Sequence, residues 1–201
     1  MNFTNPFEQV QGSGRISLTE TEGKNFLQQF GFPVPKSVQV EGFENLETQL
    51  QTLEWPVAVK VVSKDILHKS EVGGVRLGLA TCSEVRSAIQ EMQTHPTIAA
   101  SEITGWLVEE MVDPGHEIVI GAVNDPNFGM MLMLGMGGIY VEVLKDVSFR
   151  LCPIRRSDAE QMIDELKCAP LLKGIRGQTA ANIEALIDTL LKLGGEDGLL
   201  A

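Results

Sequence analysis

The sequence predicts an α+β fold in two lobes, on three observations. Short apolar runs rich in β-branched residues, separated by turn signals, read as strands. Segments of helical period flank them on each side, and mixed strands with helices on each side argue α+β. A chain of 201 residues, 43% of them hydrophobic, can bury one good-sized core or two small lobes.

Residues 1–16, with Gly12, Ser13 and Gly14, read as a flexible lead-in. Ser17 and Glu20 have capping-box spacing, and Phe26, Leu27 and Phe30 then share a helical face until Gly31 and Pro33 stop the helix. Lys36 to Val40 reads as a strand, Phe43 to Leu53 as a helix with Phe43, Leu46 and Leu50 on one side, and Trp55-Pro56 as a turn. Val57 to Val62 (VAVKVV) is β-branched and nearly continuous in apolar residues, the pattern of a buried strand. Val75 to Leu79 is its expected partner across the loop SKDILHKSEVGG. A helix follows over Ser83 to Met92, with Val85, Ile89 and Met92 inward. Trp106 to Val112, Glu117 to Val123 and Met130 to Leu134 read as strands, the last two joined by the turn Asn124-Asp125-Pro126-Asn127. Another strand is expected at Ile139 to Leu144, after Gly135, Gly137 and Gly138. Ser157 and Glu160 repeat the capping-box spacing ahead of Met162, Ile163 and Leu166, and Ala181 to Leu193 carries Ile183, Leu186, Ile187 and Leu190 at helical period. The tail, 194–201, is glycine-rich and expected to fray.

Composition excludes several classes of function. A formal net charge of -11, with no Lys/Arg run, repels a phosphate backbone, so nucleic acid is not an expected partner. The N-terminal residues have no basic stretch followed by an apolar one, and the greasiest segment, Met130 to Val143, is broken by glycines and Glu142. A soluble cytoplasmic protein with no membrane partner is expected. Cys82, Cys152 and Cys168 are odd in number and widely spaced, which suits neither a disulfide framework nor a zinc site but reduced thiols filling space.

A few residues could carry chemistry. Lys60 sits inside VAVKVV, where burying a lone ammonium costs several kcal/mol unless an anion meets it. A phosphate is one such anion, since the following loop ends in Gly73-Gly74, whose backbone N–H groups can approach phosphate oxygens. The alternative is a strand-edge lysine reaching water. His68 lies in the same loop beside Lys69 and Ser70; an imidazole there can take a phosphoryl group on nitrogen, or be an ordinary surface histidine. His95 and His116 have no comparable setting. Glu109 and Glu110 end an apolar strand and Glu117 opens the next, placing carboxylates where a ribose could be met, or simply on a solvated strand face. Glu142, Lys145, Asp146 and Arg150 form a mixed-charge group that could line a polyanion site or form an ion-pair network.

The segments Leu18 to Pro35 (LTETEGKNFLQQFGFPVP), Val57 to Leu79, Val108 to Pro153 and Leu171 to Gly177 (LLKGIRG) together resemble the ATP-grasp β subunit or domain of ADP-forming acetate–CoA ligases, which is similar to the β subunit of succinyl-CoA synthetase. The likeness runs from about Ser17 to Leu193. It implies an ATP-grasp fold over 17–201, with a small lobe at about 34–108 and a second lobe formed by about 17–33 and 109–193, gripping ATP or ADP in a cleft between them. Lys60, Ser63, Lys69, Gly73 and Gly74 then match the phosphate side, Glu109, Glu110 and Met111 the adenine hinge, and Glu117 the ribose contact. Glu142, Asp146 and Arg150 could assist the phosphates. His68 matches a loop histidine that receives phosphoryl from a phosphohistidine on a separate CoA-binding α subunit or domain. The implied reaction is acyl-CoA plus ADP and phosphate to acid, CoA and ATP, reversibly, with the acid and acyl-CoA met through that partner.

In one respect the sequence departs from the pattern. Family members continue into strands bearing Glu-x-Asn-Pro-Leu and a later Asp, which hold Mg2+. The sequence ends at Ala201 without them, so no residue is assigned as a metal ligand, and a C-terminally truncated ATP-grasp domain, inactive alone, is expected. Two rival readings remain open: a non-catalytic nucleotide-binding or interaction module, and an ATP-grasp ligase of another class that phosphorylates its substrate directly.

Overall fold

A computed structural model of the chain describes residues 15, 17–66, 68–138, 143–174 and 179–200. The chain divides into two compact units, Met1–Asp113 and Pro114–Ala201. Residues 17–33, expected with the second lobe, fall in the first unit, because the helix they form is ion-paired to the first unit's sheet.

The first unit runs α1 (Glu20–Gln29), β1 (Ser37–Val40), α2 (Leu46–Leu50), β2 (Val57–Ser63), β3 (Val75–Leu79), α3 (Cys82–Gln93), α4 (Pro96–Ala99) and β4 (Ile103–Glu110), and its four strands form an antiparallel sheet in the order β1-β4-β2-β3. Side chains alternate across it. Val57, Val59 and Val61 of β2, with Trp106 and Val108 of β4, face a core completed by Leu46, Leu50, Val85, Ile89 and Met92. Ala58, Lys60 and Val62 turn to the other face, with Leu107 and Glu109. This two-sided burial is why β2 reads as an almost unbroken apolar run. Helix α1 is anchored to the second face: Thr21 Oγ1 lies 3.1 Å from Gln39 Oε1, and its ion pairs reach Lys60 and Glu109.

The cap of α1 falls two residues beyond the expected pair. Thr19 Oγ1 accepts from the Glu22 N–H, and Glu22 accepts from the Thr19 N–H at 2.7 Å while also pairing with Arg15. Glu20 is therefore free of capping duty. The expected 43–53 helix is reduced to α2, with Asn45 in the left-handed region at its start.

In the second unit, β5 (Ile118–Asp125), β6 (Gly129–Met136) and β7 (Val147–Leu151) form an antiparallel sheet in that order, and α5 (Arg156–Asp164), α6 (Ala169–Leu172) and α7 (Ile183–Gly194) contribute to its core. Leu132, Leu134 and Met136 pack with Met162, Ile163, Leu172, Ile187 and Leu190. The hairpin expected at 124–127 is present, its turn closed by Asp125 Oδ1 accepting from the N–H groups of Asn127 and Phe128.

Three expectations are revised in this unit. Residues 139–142 of the strand expected at 139–144 lie outside the described residues, and Val143 and Leu144 belong to no strand; the third strand is instead β7, a five-residue segment. Helix α5 begins at Arg156 rather than on a Ser157–Glu160 box, with Asp158 accepting from the Arg155 N–H at 2.7 Å and Glu160 paired with Arg156. The tail also folds back: Leu199 and Leu200 N–H groups donate to the carbonyls of Lys192 and Leu193, which the end of α7 leaves unpaired.

Candidate functional site

The pleat of β2 and β4 assembles the principal site. Lys60 stands opposite Leu107 and Ala58 opposite Glu109, so Lys60 and Glu109 are diagonal neighbours on the face that α1 covers. The Lys60 ammonium lies 2.8 Å from Glu20 Oε1 and 2.9 Å from Glu109 Oε1. Lys69, from the loop after β2, donates to Glu20 Oε2. Lys24, one turn along α1 from Glu20, pairs with Glu20 Oε1 at 2.9 Å and with Glu109 Oε2. Three ammonium groups thus meet two carboxylates, leaving one net positive charge in a half-buried patch.

The electrostatics follow from that packing. Burial alone would raise the Glu20 carboxyl, but hydrogen bonds from Lys60, Lys69 and Lys24 outweigh it and hold Glu20 at about 2. Lys24 is pushed below the ordinary lysine value by burial and by its cationic neighbour Lys60, against the pull of Glu20. Glu109 is only 6% exposed. The expectation that Lys60 needs a bound oxyanion to be neutralised is corrected: protein carboxylates from α1 and β4 do so. Glu20 and Lys24 were not among the residues the sequence pointed to. Their only local signal is the i,i+4 spacing in ETEGK.

The remaining expected residues separate into groups. His68 is exposed, its side chain 78% accessible, with Nδ1 4.0 Å from Glu71 Oε1. The Ser63 hydroxyl donates to the Glu102 carbonyl at 2.8 Å. The Gly73 and Gly74 N–H groups, expected to approach phosphate, instead donate within the loop, to Ser70 and Lys69 carbonyls. Glycine is needed at 74 because a Cβ there would stand 2.6 Å from Val61 Cγ1, and at 73 because φ is +65°. The Glu110 carboxylate accepts from the Glu54 N–H at 2.9 Å, while Met111 is 42% exposed with its sulfur 3.1 Å from the Gly78 nitrogen.

In the second unit Glu117 lies against the glycine pair. The Gly137 N–H donates to the Glu117 carbonyl at 2.7 Å, and a Cβ at Gly137 would come within 2.8 Å of Glu117 Cβ. Glu117 lines a cavity of about 1140 Å³ with Ile118, Met136, Thr179, Asn182 and Leu186 among others. Asp146 is not available to a phosphate: it is 3% exposed and its two oxygens accept from the Lys167 and Cys168 N–H groups at 2.7 and 2.8 Å. Burial would raise its carboxyl, but those N–H bonds hold it below the usual range. Arg150 pairs outside the mixed-charge group, donating to Glu165 and lying near Ser148, and those bonds to Glu165 raise its guanidinium. Glu142 lies outside the described residues. The three cysteines are half-buried free thiols, each pushed up by burial. Among the described residues no helix is long and apolar enough to cross a membrane, and no three His, Cys, Asp or Glu side chains gather to hold a metal ion.

Known proteins resemble this chain over most of its length. A model of the ATP-grasp domain matches residues 9–195. The β subunit of the ADP-forming acetate–CoA ligase II of Pyrococcus furiosus is 39% identical over 92% of this chain and 80% of its own length. The ADP-forming 4-hydroxybutyrate–CoA ligase of Nitrosopumilus maritimus is 39% identical over 93% of this chain, which spans 27% of that longer protein. Among solved structures, the dinucleotide forming acetyl-coenzyme A synthetase 1 of Ca. Korarchaeum cryptofilum, in complex with coenzyme A, Ca-AMPCP and HgCl+, superposes with a TM-score of 0.89 at 39% identity, covering 94% of this chain and 83% of that one. The same protein with coenzyme A and Mg-AMPPCP, its phosphohistidine segment pointing towards the nucleotide binding site, gives 0.80 at 38% identity, with 94% and 82% covered. The chain therefore belongs to the ATP-grasp family, in the group formed by the β subunits and domains of ADP-forming acetate–CoA ligases.

Proposed function

We propose that the chain is the nucleotide-binding component of an ADP-forming acid–CoA ligase, holding ADP or ATP by its phosphates at Lys60 and Lys69 and relaying a phosphoryl group through His68. The observation that carries this reading is the lysine cluster. Three ammonium groups share two carboxylates in a half-buried patch, and Lys69 follows directly on an exposed imidazole in the loop after β2. An excess cation on a pleated face suits a polyanion, because partial burial strengthens each ammonium–phosphate contact relative to open solvent. The nucleotide, when bound, supplies the acceptor or donor oxygen for the transferred group. Magnesium, when bound, would be met largely through the nucleotide's own phosphates, and the roles assigned to this chain's residues are those of its lysines and histidine.

His68 receives the phosphoryl group by attack of a ring nitrogen on phosphorus, with the P–N bond of the partner's phosphohistidine breaking as the new P–N bond forms. It then gives the group up to the nucleotide's terminal phosphate oxygen, and its own P–N bond breaks. Lys60 and Lys69 offset the phosphate charge as the groups converge. The partner is a CoA-binding subunit or domain, which also meets the acid or acyl-CoA, and the working compartment is the cytoplasm.

Incubating the chain with a 32P-labelled phosphohistidine partner tests the relay. The wild-type protein takes up acid-labile label, whereas His68→Ala binds ADP with unchanged affinity and takes up none. Label on the alanine protein rejects the role of His68.

A further inference from the structure

We propose that Glu20 is a displaceable counter-anion, which holds Lys60 and Lys69 together and is exchanged for the phosphates of the bound nucleotide. The inference rests on the nucleotide reading of Lys60 and adds to it a residue on a helix outside the sheet. Glu20 offers two oxygens to three ammonium groups, Oε1 to Lys60 at 2.8 Å and Lys24 at 2.9 Å, and Oε2 to Lys69. That is the coordination a phosphate's oxygens would provide to the same lysines.

Of the two carboxylates in the cluster, only Glu20 is placed to leave. Glu109 projects from β4, hydrogen-bonded between β1 and β2, and is almost wholly buried. Glu20 is the first residue of α1, a helix with no fully buried side chain, and its side chain takes no part in the Thr19–Glu22 cap. Moving that side chain aside breaks no core packing. Once phosphate oxygens neutralise Lys60 and Lys69, a carboxylate left beside them would be repelled as a like charge. Glu20 therefore lowers nucleotide affinity while keeping the lysines ordered, and the first turn of α1 responds to occupancy.

Calorimetry on the full chain and on Glu20→Gln, with ADP and with inorganic tripolyphosphate as probes, tests this. The glutamine protein is expected to bind both about tenfold more tightly, the scale expected when one like charge beside a bound anion is removed. A purely structural role for Glu20 would weaken binding instead, so equal or weaker ADP binding by Glu20→Gln overturns the proposal and leaves the nucleotide reading standing. Tighter tripolyphosphate binding with no ADP binding by either protein retains the counter-anion and sinks the nucleotide reading. No binding of either probe by either protein overturns both. A second measurement needs no variant: ADP should speed amide exchange in the first turn of α1, residues 20–23, in the wild-type chain. Slower or unchanged exchange there also overturns the proposal.

Discussion

Replacing Lys60 with methionine keeps the apolar stem and removes the charge at the centre of the cluster. The ammonium donates to Glu20 at 2.8 Å and to Glu109 at 2.9 Å. Breaking a buried ion pair by removing one partner costs about 3–5 kcal/mol when the other is stranded. Neither carboxylate is stranded, because Lys24 remains on both and Lys69 on Glu20. The expected cost is therefore lower, about 2 kcal/mol, on the scale of one charge-assisted hydrogen bond. Both tryptophans, Trp55 and Trp106, belong to the first unit, so tryptophan fluorescence in urea follows that unit selectively. With a urea dependence of about 1–1.5 kcal/mol/M, the midpoint should fall by about 1.5 M. The double variant with Glu109→Gln should cost about 1–2 kcal/mol less than the sum of the two single changes, since the lost lysine no longer faces a full charge. Additive costs, or an unmoved midpoint, would refute the view that Lys60 and Glu109 stabilise each other. The same Lys60→Met protein should bind ADP at least about tenfold more weakly; unchanged affinity would refute the assignment of Lys60 to the phosphates.

Acid should weaken the first unit through Glu20. Its folded value, about 2, lies below the ordinary 4.5, so the stabilisation is complete above the ordinary value and is lost as pH falls from about 4.5 towards 2, by about 3 kcal/mol at most. The urea midpoint by tryptophan fluorescence should drop between pH 6 and pH 3, and drop less in Glu20→Gln; equal drops would contradict the cluster. In the second unit, Asp146→Ala strips the Lys167 and Cys168 N–H groups of their acceptors and should cost about 2–4 kcal/mol, read as a lower melting temperature by circular dichroism. Its ADP affinity should stay at the wild-type value, and a large loss of affinity without destabilisation would restore Asp146 to the phosphates.

Local information carried the fold a long way. The β-branched run at 57–62, the helical period at 83–92 and the Asp125 turn each depend on residues within a few positions of one another, and each forms where expected. Element ends were less legible. Thr19 and Ser17 both offer a hydroxyl three residues before a carboxylate, and only Arg15, pairing with Glu22, and the draw of the lysines on Glu20 favour the former. The strand at 147–151 is short, and its place comes from pairing with β6 rather than from its own pattern.

By itself the sequence determined that a lysine lies in a buried strand, that a histidine and a second lysine follow it in a glycine-ended loop, and that the whole resembles ATP-grasp acid–CoA ligases. Only the tertiary structure decided what meets that lysine. Glu20 and Glu109 are 40 and 49 residues away along the chain, brought in by the placement of α1 and by the β2–β4 register. It likewise showed which groups meet Asp146 and Arg150, namely backbone N–H groups and Glu165. Alternation along a strand tells which face a side chain takes, but a counter-charge is found across the sheet and on the covering helix, where distance along the chain carries no information.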